Sequence, residues 1–100
     1  MNAYKIYVTP SAWVEMRALP GHMRQRAKQS VNSLSRDPRP ANSKALNIPE
    51  TSYEVRRARL DRWRIVYFID EETRTLSILT VRKRPPYNYQ DLAELLRSLK

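Results

Sequence analysis

Five arginines lie within the nine residues RRARLDRWR, from Arg56 to Arg64. The apolar segment IVYFI follows directly, so these arginines stand next to a predicted central strand. A guanidinium group offers a planar fork of N–H donors that matches phosphate oxygens, and it also stacks on nucleic-acid bases. The stretch raises two hypotheses: a solvated strand edge that resists aggregation, or a surface that holds phosphate.

The overall charge favours an anionic partner. Nineteen Lys and Arg residues against ten Asp and Glu residues give a net charge of +9 and an isoelectric point near 10.4. Such a surplus on 100 residues is typical of proteins that bind nucleic acid, an anionic membrane or an acidic protein. Because 14 of the 19 basic residues are arginine, phosphate is the favoured ligand.

Several kinds of chemistry are excluded by composition. The chain has no cysteine, so it has no disulfide framework and no thiolate site. It has one glycine and one histidine, which rules out a glycine-rich phosphate loop and a two-histidine nuclease mechanism. The lone His22 is expected to lie on the surface. No ligand cluster suggests a metal, and no cofactor is expected. The N-terminal residues are too polar for a signal peptide or a membrane span, which predicts a cytoplasmic protein without membrane contact.

The first half of the chain predicts one strand and two helices. The alternation in 4–8 indicates a strand, and Thr9 and Pro10 form a helix start with Thr9 as the N-cap. A short helix over 12–19 is stopped by Pro20-Gly21. A second helix carries an apolar stripe and ends near 36–38, at the residues before a proline. The stripe consists of Met23, Ala27, Val31 and Leu34.

The second half predicts three strands and a helix. Residues 37–52 are rich in Pro, Asn and Ser and predict an ordered loop. Strands follow at 53–60, 62–70 and 75–84, the last two joined by a tight turn. Leu92, Leu95, Leu96 and Leu99 mark a terminal helix. The prediction is a single α+β domain over 1–100: a helical hairpin packed on a small, mostly antiparallel four-stranded sheet with a short C-terminal helix, in the order β-α-α-β-β-β-α.

Strand alternation indicates where the basic side chains point. Arg62 and Arg64 share one face of their strand, and an antiparallel pairing is expected to bring Arg56 to the same face as Arg64. The last strand ends in Arg82, Lys83 and Arg84, close to Tyr87 and Tyr89. Basic residues interleaved with aromatic ones (Tyr53, Trp63, Tyr67, Tyr87 and Tyr89) are typical of surfaces that bind phosphate and stack on bases.

Three segments carry a family resemblance: SKALNIPETSYEVR, WRIVYFID and LTVRKRPPYNY. With the order of elements, they resemble the RelE/ParE superfamily of bacterial toxins, and most closely the RelE-type mRNA interferases. The resemblance spans nearly the whole chain, and RIVY followed by V-x-K-R is its most specific part. It implies a microbial RNase fold whose activity cleaves mRNA in the ribosomal A site without a metal, by attack of the 2′-OH on the phosphodiester.

The resemblance also implies site residues. Arg64 is expected to hold the scissile phosphate, and Arg84 to stabilise the transition state. Glu54 and Arg56 align with a lysine pair of well-known members; Glu54 departs from the pattern and is either a general base or a solvated residue. Tyr87 or Tyr89 corresponds to the family's C-terminal tyrosine. Further RNA contacts are expected from Arg57, Arg59, Arg62, Arg82, Lys83 and Lys44.

Three functions stay open at this point. The favoured one is a ribosome-dependent endoribonuclease toxin; the others are a ParE-like toxin that binds a DNA topoisomerase and a non-catalytic nucleic-acid-binding module. The toxin readings imply a cognate antitoxin with an acidic, partly disordered segment that wraps the basic face or displaces the Leu92–Leu99 helix. The free toxin is expected to be a monomer that forms a hetero-oligomer with its antitoxin, and mRNA and the ribosome are its expected targets.

Overall fold

The computed structural model describes residues 3–48 and 51–83 together with Glu94 and Leu96. In chain order its elements are β1 (Lys5–Val8), α1 (Pro10–Arg17), α2 (Gly21–Leu34), β2 (Ser43–Leu46), β3 (Glu54–Leu60), β4 (Trp63–Asp70) and β5 (Thr75–Lys83). The strands form one sheet in the order β1-β5-β4-β3-β2, in which β1 is parallel to β5 and every other pair is antiparallel. The α+β class is confirmed.

The prediction of four strands is wrong, because the described residues already form a sheet of five. The additional strand, β2, lies inside the segment 37–52 that was predicted to be a loop. Its residues pair antiparallel with β3, from Ser43 opposite Ala58 to Leu46 opposite Val55. Four residues between Pro-rich and Asn-rich flanks have little strand preference of their own, so pairing with β3 decides their conformation.

The first helix, α1, begins at the predicted Thr9-Pro10 start but ends at Arg17, short of the predicted residue 19, and α2 begins at Gly21, which was predicted only as part of the stop between the helices. Thr9 is the N-cap of α1: its Oγ1 accepts a hydrogen bond from the Ala12 N–H at 3.3 Å and donates to the Ile78 carbonyl at 2.9 Å, while Pro10 takes the first helical position. The predicted apolar stripe of α2 is buried against the sheet. Neither helix in the part of the chain that the structure describes is long and apolar enough to cross a membrane.

The sheet has two differently covered faces. We call the face under α1 and α2 the helix face; its core includes Ile65, Tyr67 and Ile69 of β4. We call the other the arginine face, because Arg59 and Arg64 lie on it. It carries a smaller apolar cluster, made of Ile48, Val55, Val66, Phe68, Leu79 and Leu96. The predicted terminal helix lies outside the described residues except for Glu94 and Leu96, both helical, and Leu96 is buried in that cluster.

Two local features set the register of the central strands. The β3–β4 connection is a two-residue turn between Leu60 and Trp63, with Asp61 at a left-handed φ of 58°. Aspartate tolerates that conformation better than most residues. The β4–β5 pairing contains a bulge: Val66 lies opposite Thr80 and Tyr67 opposite Ile78, so Leu79 is the extra residue. A bulge of one residue exchanges the faces of all side chains beyond it.

Candidate phosphate-binding site

The register assembles basic side chains from four strands on the arginine face. Arg64 of β4 lies directly opposite Arg59 of β3 on one side and Arg82 of β5 on the other. Arg57, two residues before Arg59 on β3, lies opposite Lys44 of β2. Directly opposed residues have Cα atoms about 4.5–5.5 Å apart. Five cations therefore occupy neighbouring register positions near the β3–β4 turn, and we call this group the cationic cluster.

A cavity of about 350 Å³ opens between these side chains. The described residues that line it are Ala41, Asn42, Lys44, Arg57, Arg59 and Arg64. Asn42 fixes one wall of the cavity. Its side-chain Nδ2 donates to the Arg59 backbone carbonyl at 2.9 Å, and its backbone carbonyl accepts from the Arg59 N–H at 3.0 Å. Sequence reasoning missed Asn42, because it lies in a segment without periodicity. A cavity lined by four cations is suited to an anion with several oxygens.

Arg64 is the buried member of the cluster. Only 3% of its surface is exposed, and its Nη1 donates to the carbonyls of Trp63 at 2.9 Å and Asp61 at 3.1 Å. One carbonyl lies in the β3–β4 turn and the other at the first residue of β4, so the backbone at this end of the strand orients the guanidinium. A charged donor that is held in place needs little reorganisation when an anion arrives, which is the arrangement that stabilises developing charge most effectively.

Glu54 and Arg56 lie elsewhere. Arg56 is opposite Tyr67 and Glu54 is opposite Ile69, which places both side chains on the helix face. The expectation that Arg56 shares a face with Arg64 is wrong. The two-residue turn sets a register in which Arg56 pairs with Tyr67, whose side chain points to the face opposite to that of Arg64. The geometry therefore does not place Glu54 and Arg56 beside Arg64.

An ion-pair network engages Glu54 and Arg56 instead. Arg39 donates to Glu54 at 2.7 Å and to Glu71 at 2.8 Å, and Arg56 donates to Glu54 at 2.9 Å. Arg39 in the first place, and Arg56 in addition, hold the pKa of the Glu54 carboxyl below its usual value. A carboxylate with a lowered pKa is a weaker base, so its environment is that of a structural ion pair.

The other predicted site residues fall into two groups. Arg62 is exposed in the β3–β4 turn, and Lys83 lies opposite Trp63, on the helix face at the end of β5. Arg84, Tyr87 and Tyr89 lie outside the described residues. His22 is exposed, as predicted. Within 3–48 and 51–83, no group of three His, Cys, Asp or Glu side chains is placed to hold a metal ion.

The aromatic residues are divided between the two faces. Tyr67 is fully buried and its hydroxyl donates to the Pro38 carbonyl at 2.6 Å, while Trp63 packs against the core of the helix face. Tyr53 stacks on Phe68, with ring centroids 4.4 Å apart, and Phe68 lies on the arginine face. Tyr53 keeps 42% of its surface exposed, so it is available to stack on a ligand.

A family model decides which family this is. Residues 6–85 match the model described as the ParE toxin of the type II toxin–antitoxin system parDE. The chain belongs to the ParE toxin family. No curated protein matches it by sequence.

Solved toxins share the fold of this ParE-family chain. The RelE of the RelE–RelB complex from Pyrococcus horikoshii OT3 has a TM-score of 0.74 at 21% identity, covering 87% of this chain and all of that one. The RelBE2 toxin–antitoxin complex of Mycobacterium tuberculosis gives 0.70 at 28% identity, over 82% of this chain and 99% of the other. The isolated RelE toxin of E. coli gives 0.69 at 20% identity, over 98% and 100%. The predicted membership of the RelE/ParE superfamily is confirmed.

Proposed function

We propose that this ParE-family toxin is a ribosome-dependent endoribonuclease that cleaves mRNA by attack of the 2′-OH on the adjacent phosphodiester. The single observation that carries the proposal is the cationic cluster, assembled by register around a cavity on one face of the sheet. Like charges held together repel, so such a group stays favourable where it faces water or an anion. A protein that acted only through an apolar interface would not need it.

The chemistry needs little more than positioning and charge. The nucleophile belongs to the RNA, and the protein has to hold it in line and stabilise the extra negative charge on the phosphate. In this proposal Arg64 holds the non-bridging oxygens from its fixed position, and Arg59 and Lys44 hold neighbouring phosphates. Arg84 remains the predicted second donor to the transition state. Removal of one such donor costs about 10²–10³ in rate.

In this proposal Arg57 takes the role that the family resemblance gave to Arg56. It lies opposite Val66, on the arginine face, and it lines the cavity together with Arg64. Arginine keeps its proton at every physiological pH, so Arg57 supplies charge and is not a base. The RNA and the ribosome then contribute the proton acceptor and the in-line geometry.

A translating extract programmed with a defined mRNA tests the proposal. The 5′ ends are mapped after addition of wild-type protein, Arg64→Ala or Arg26→Ala, with and without ribosomes. Arg26 is the control, because it is an exposed arginine on α2, on the other side of the sheet. We expect cuts at codon positions with the wild type and the control, and a loss of about 10²-fold or more with Arg64→Ala.

The outcomes separate the proposed nuclease from a plain RNA-binding module. A binding module would protect or retain RNA without producing new 5′ ends, and Arg64→Ala would then change only its affinity and salt dependence. Cuts of equal rate in Arg64→Ala and wild type, with both proteins folded, would contradict the role of Arg64.

A second candidate follows from the family model, which is that of the ParE toxin. In this alternative the protein binds a DNA topoisomerase and leaves mRNA intact. A supercoiling assay with purified topoisomerase, run on the same protein samples, distinguishes the two. Inhibition of supercoiling by wild type and Arg64→Ala alike, without mRNA cuts, would favour the topoisomerase ligand.

An antitoxin is the proposed partner. The RelE proteins of P. horikoshii and M. tuberculosis with this fold were solved in toxin–antitoxin complexes. A chain with a net charge of +9 favours an acidic segment as the masking element. We expect such a segment to cover the cationic cluster, so that Arg57→Ala and Arg59→Ala weaken the complex and flatten its salt dependence, measured by titration calorimetry.

A further inference from the structure

Glu15 of α1 contacts three groups on β5. Its Oε1 accepts hydrogen bonds from Thr80 Oγ1 at 2.6 Å and from the Val81 N–H at 3.1 Å, and its Oε2 lies 3.5 Å from Arg82 Nε. Arg82 Nε also donates to Thr80 Oγ1 at 2.9 Å. The carboxylate, the hydroxyl and the guanidinium thus form one connected group, which we call the Glu15 clamp.

The position of the clamp in the fold explains how a helix residue reaches the sheet. The pairing of β1 with β5 ends at Val8 and Ile78, so beyond Ile78 no strand of the described residues borders this edge of β5. The Thr9 cap ties the start of α1 to Ile78 and Leu79, which brings Glu15 to that open edge. There it caps the Val81 N–H, which would otherwise need a partner.

The clamp separates Arg82 from the rest of the cationic cluster. The register places Arg82 directly opposite Arg64, whereas its Nε is held at the outer edge of β5 by Glu15 and Thr80. Correspondingly, the described residues that line the cavity beside Arg64 do not include Arg82. The side chains of Arg82 and Glu15 are only 26% and 31% exposed, so the charge pair is less screened than an open surface pair.

We propose that Glu15 is a positioning residue: it holds Arg82 at the edge of β5 and so limits the cations that the arginine face offers to a polyphosphate chain. Its effect on RNA rests on the proposed function. While Arg82 is paired with the Glu15 carboxylate, it contributes little to phosphate binding. Loss of the Glu15 charge removes the carboxylate that holds Arg82 at this edge, and we expect the Arg82 side chain then to turn toward Arg64 and contact one more phosphate.

Two substitutions separate charge from structure. Glu15→Gln keeps an oxygen that accepts from Thr80 and Val81 but removes the negative charge, and Arg82→Gln removes the residue that Glu15 is proposed to hold. Glu72→Gln is the charge-matched control, since Glu72 is exposed in the turn at the other end of β5. The double variant Glu15→Gln/Arg82→Gln completes a cycle that isolates the coupling.

The two affinities are measured on every folded protein, and the Arg82 resonance on those that keep Arg82. The Nε–H resonance of Arg82 reports the clamp directly without any ligand. The affinity for inorganic tripolyphosphate reports the anion capacity of the face. The affinity for a single-stranded RNA oligonucleotide is followed as a function of KCl. For Glu15→Gln we expect a shifted, faster-exchanging Arg82 resonance, tighter tripolyphosphate binding, and an RNA salt slope steeper by about 0.7, the value for one added phosphate contact.

The cycle gives the deciding results. In the Arg82→Gln background, Glu15→Gln should change neither anion affinity nor salt slope, and Glu72→Gln should change neither in wild type. An equal gain in the Arg82→Gln background, or an unmoved Arg82 resonance in Glu15→Gln, would overturn the positioning role. Tripolyphosphate results as expected, in proteins that bind no RNA, would support the positioning role and contradict the proposed function.

Discussion

Arg56 and Arg57 are neighbours in the chain but serve opposite sides of the sheet. Arg57 lies opposite Val66 on the arginine face, and Arg56 lies opposite Tyr67 on the helix face, where its Nε and Nη2 donate to Ser43 Oγ at 3.1 and 3.0 Å. Alternation shows which residues of one strand share a face. It does not show which residues of the neighbouring strand lie on that same face, because that depends on the register. The residue that accompanies Arg64 could therefore not be chosen from the sequence.

This pair gives a matched test of the site. We expect Arg57→Ala to lower the rate of mRNA cleavage by about 10²-fold with an almost unchanged melting temperature, because it removes a cation from the cavity. We expect Arg56→Ala to lower the melting temperature and leave cleavage per folded molecule within a few-fold of wild type. Cleavage rates and thermal melts of both variants decide the matter. A greater loss of cleavage in Arg56→Ala would return the role to Arg56.

Glu54 predicts a pH dependence of stability. Because Arg39 and Arg56 hold its folded-state pKa below the unfolded value near 4.5, its ion pairs stabilise the fold above that pH. The contribution is lost as the pH falls below about 4.5 through the lowered pKa. The side chain is 35% exposed, so we expect Glu54→Gln to cost about 1 kcal/mol or less at pH 7. Urea titrations from pH 7 to pH 3 should show the two proteins converging in acid; a difference that stayed constant would contradict the ion-pair account.

At the scale of elements, the bulge at Leu79 decides what faces Arg64. Asp70 pairs with Thr75, and an uninterrupted ladder from that pair would place Val81 opposite Arg64. The extra residue places Arg82 opposite Arg64 instead, and the Val81 side chain then packs in the core of the helix face. The run TLSILTVRK carries no residue that marks a bulge. The sequence predicted both helices and the strand segments that now form β1, β3, β4 and β5, since each has clear periodicity, but this register depends on long-range packing.

Leu79 tests whether the bulge is a packing feature or a requirement of the site. Its side chain is fully buried in the cluster of the arginine face. We expect Leu79→Ala to lower the free energy of unfolding by about 2–5 kcal/mol. Deletion of Leu79 should cost a similar amount yet leave Arg82 opposite Arg64, because the shortened strand restores an unbroken ladder with the same partners beyond the deletion.

Chemical denaturation and RNA binding at low temperature, where both variants are folded, check this expectation. If the deletion variant folds but loses the salt-dependent RNA binding that Leu79→Ala keeps, the bulge itself would be required by the site, through the added twist that it gives β5.

For the whole molecule, the distribution of charge matters more than its total. The four cations that line the cavity lie near the β3–β4 turn on the arginine face, whereas Arg39, Arg56 and Arg82 are paired with carboxylates. The net charge of +9 predicted an anionic partner but could not indicate which cations act together. That grouping arises when β2 joins the sheet, since β2 brings Lys44 beside Arg57.

Two exposed lysines on opposite sides of the sheet test whether place or total charge governs RNA binding. Lys44→Gln removes a cation that lines the cavity, and Lys28→Gln removes the same charge from α2. If phosphates bind locally, Lys44→Gln should reduce the slope of log affinity against log salt by about 0.7, while Lys28→Gln leaves it unchanged. If long-range attraction by the +9 chain dominates, both should weaken binding equally at low salt and neither should at high salt, since screening acts within about 10 Å at 0.1 M. Because the two variants have the same net charge, only the position of the lysine can separate their slopes.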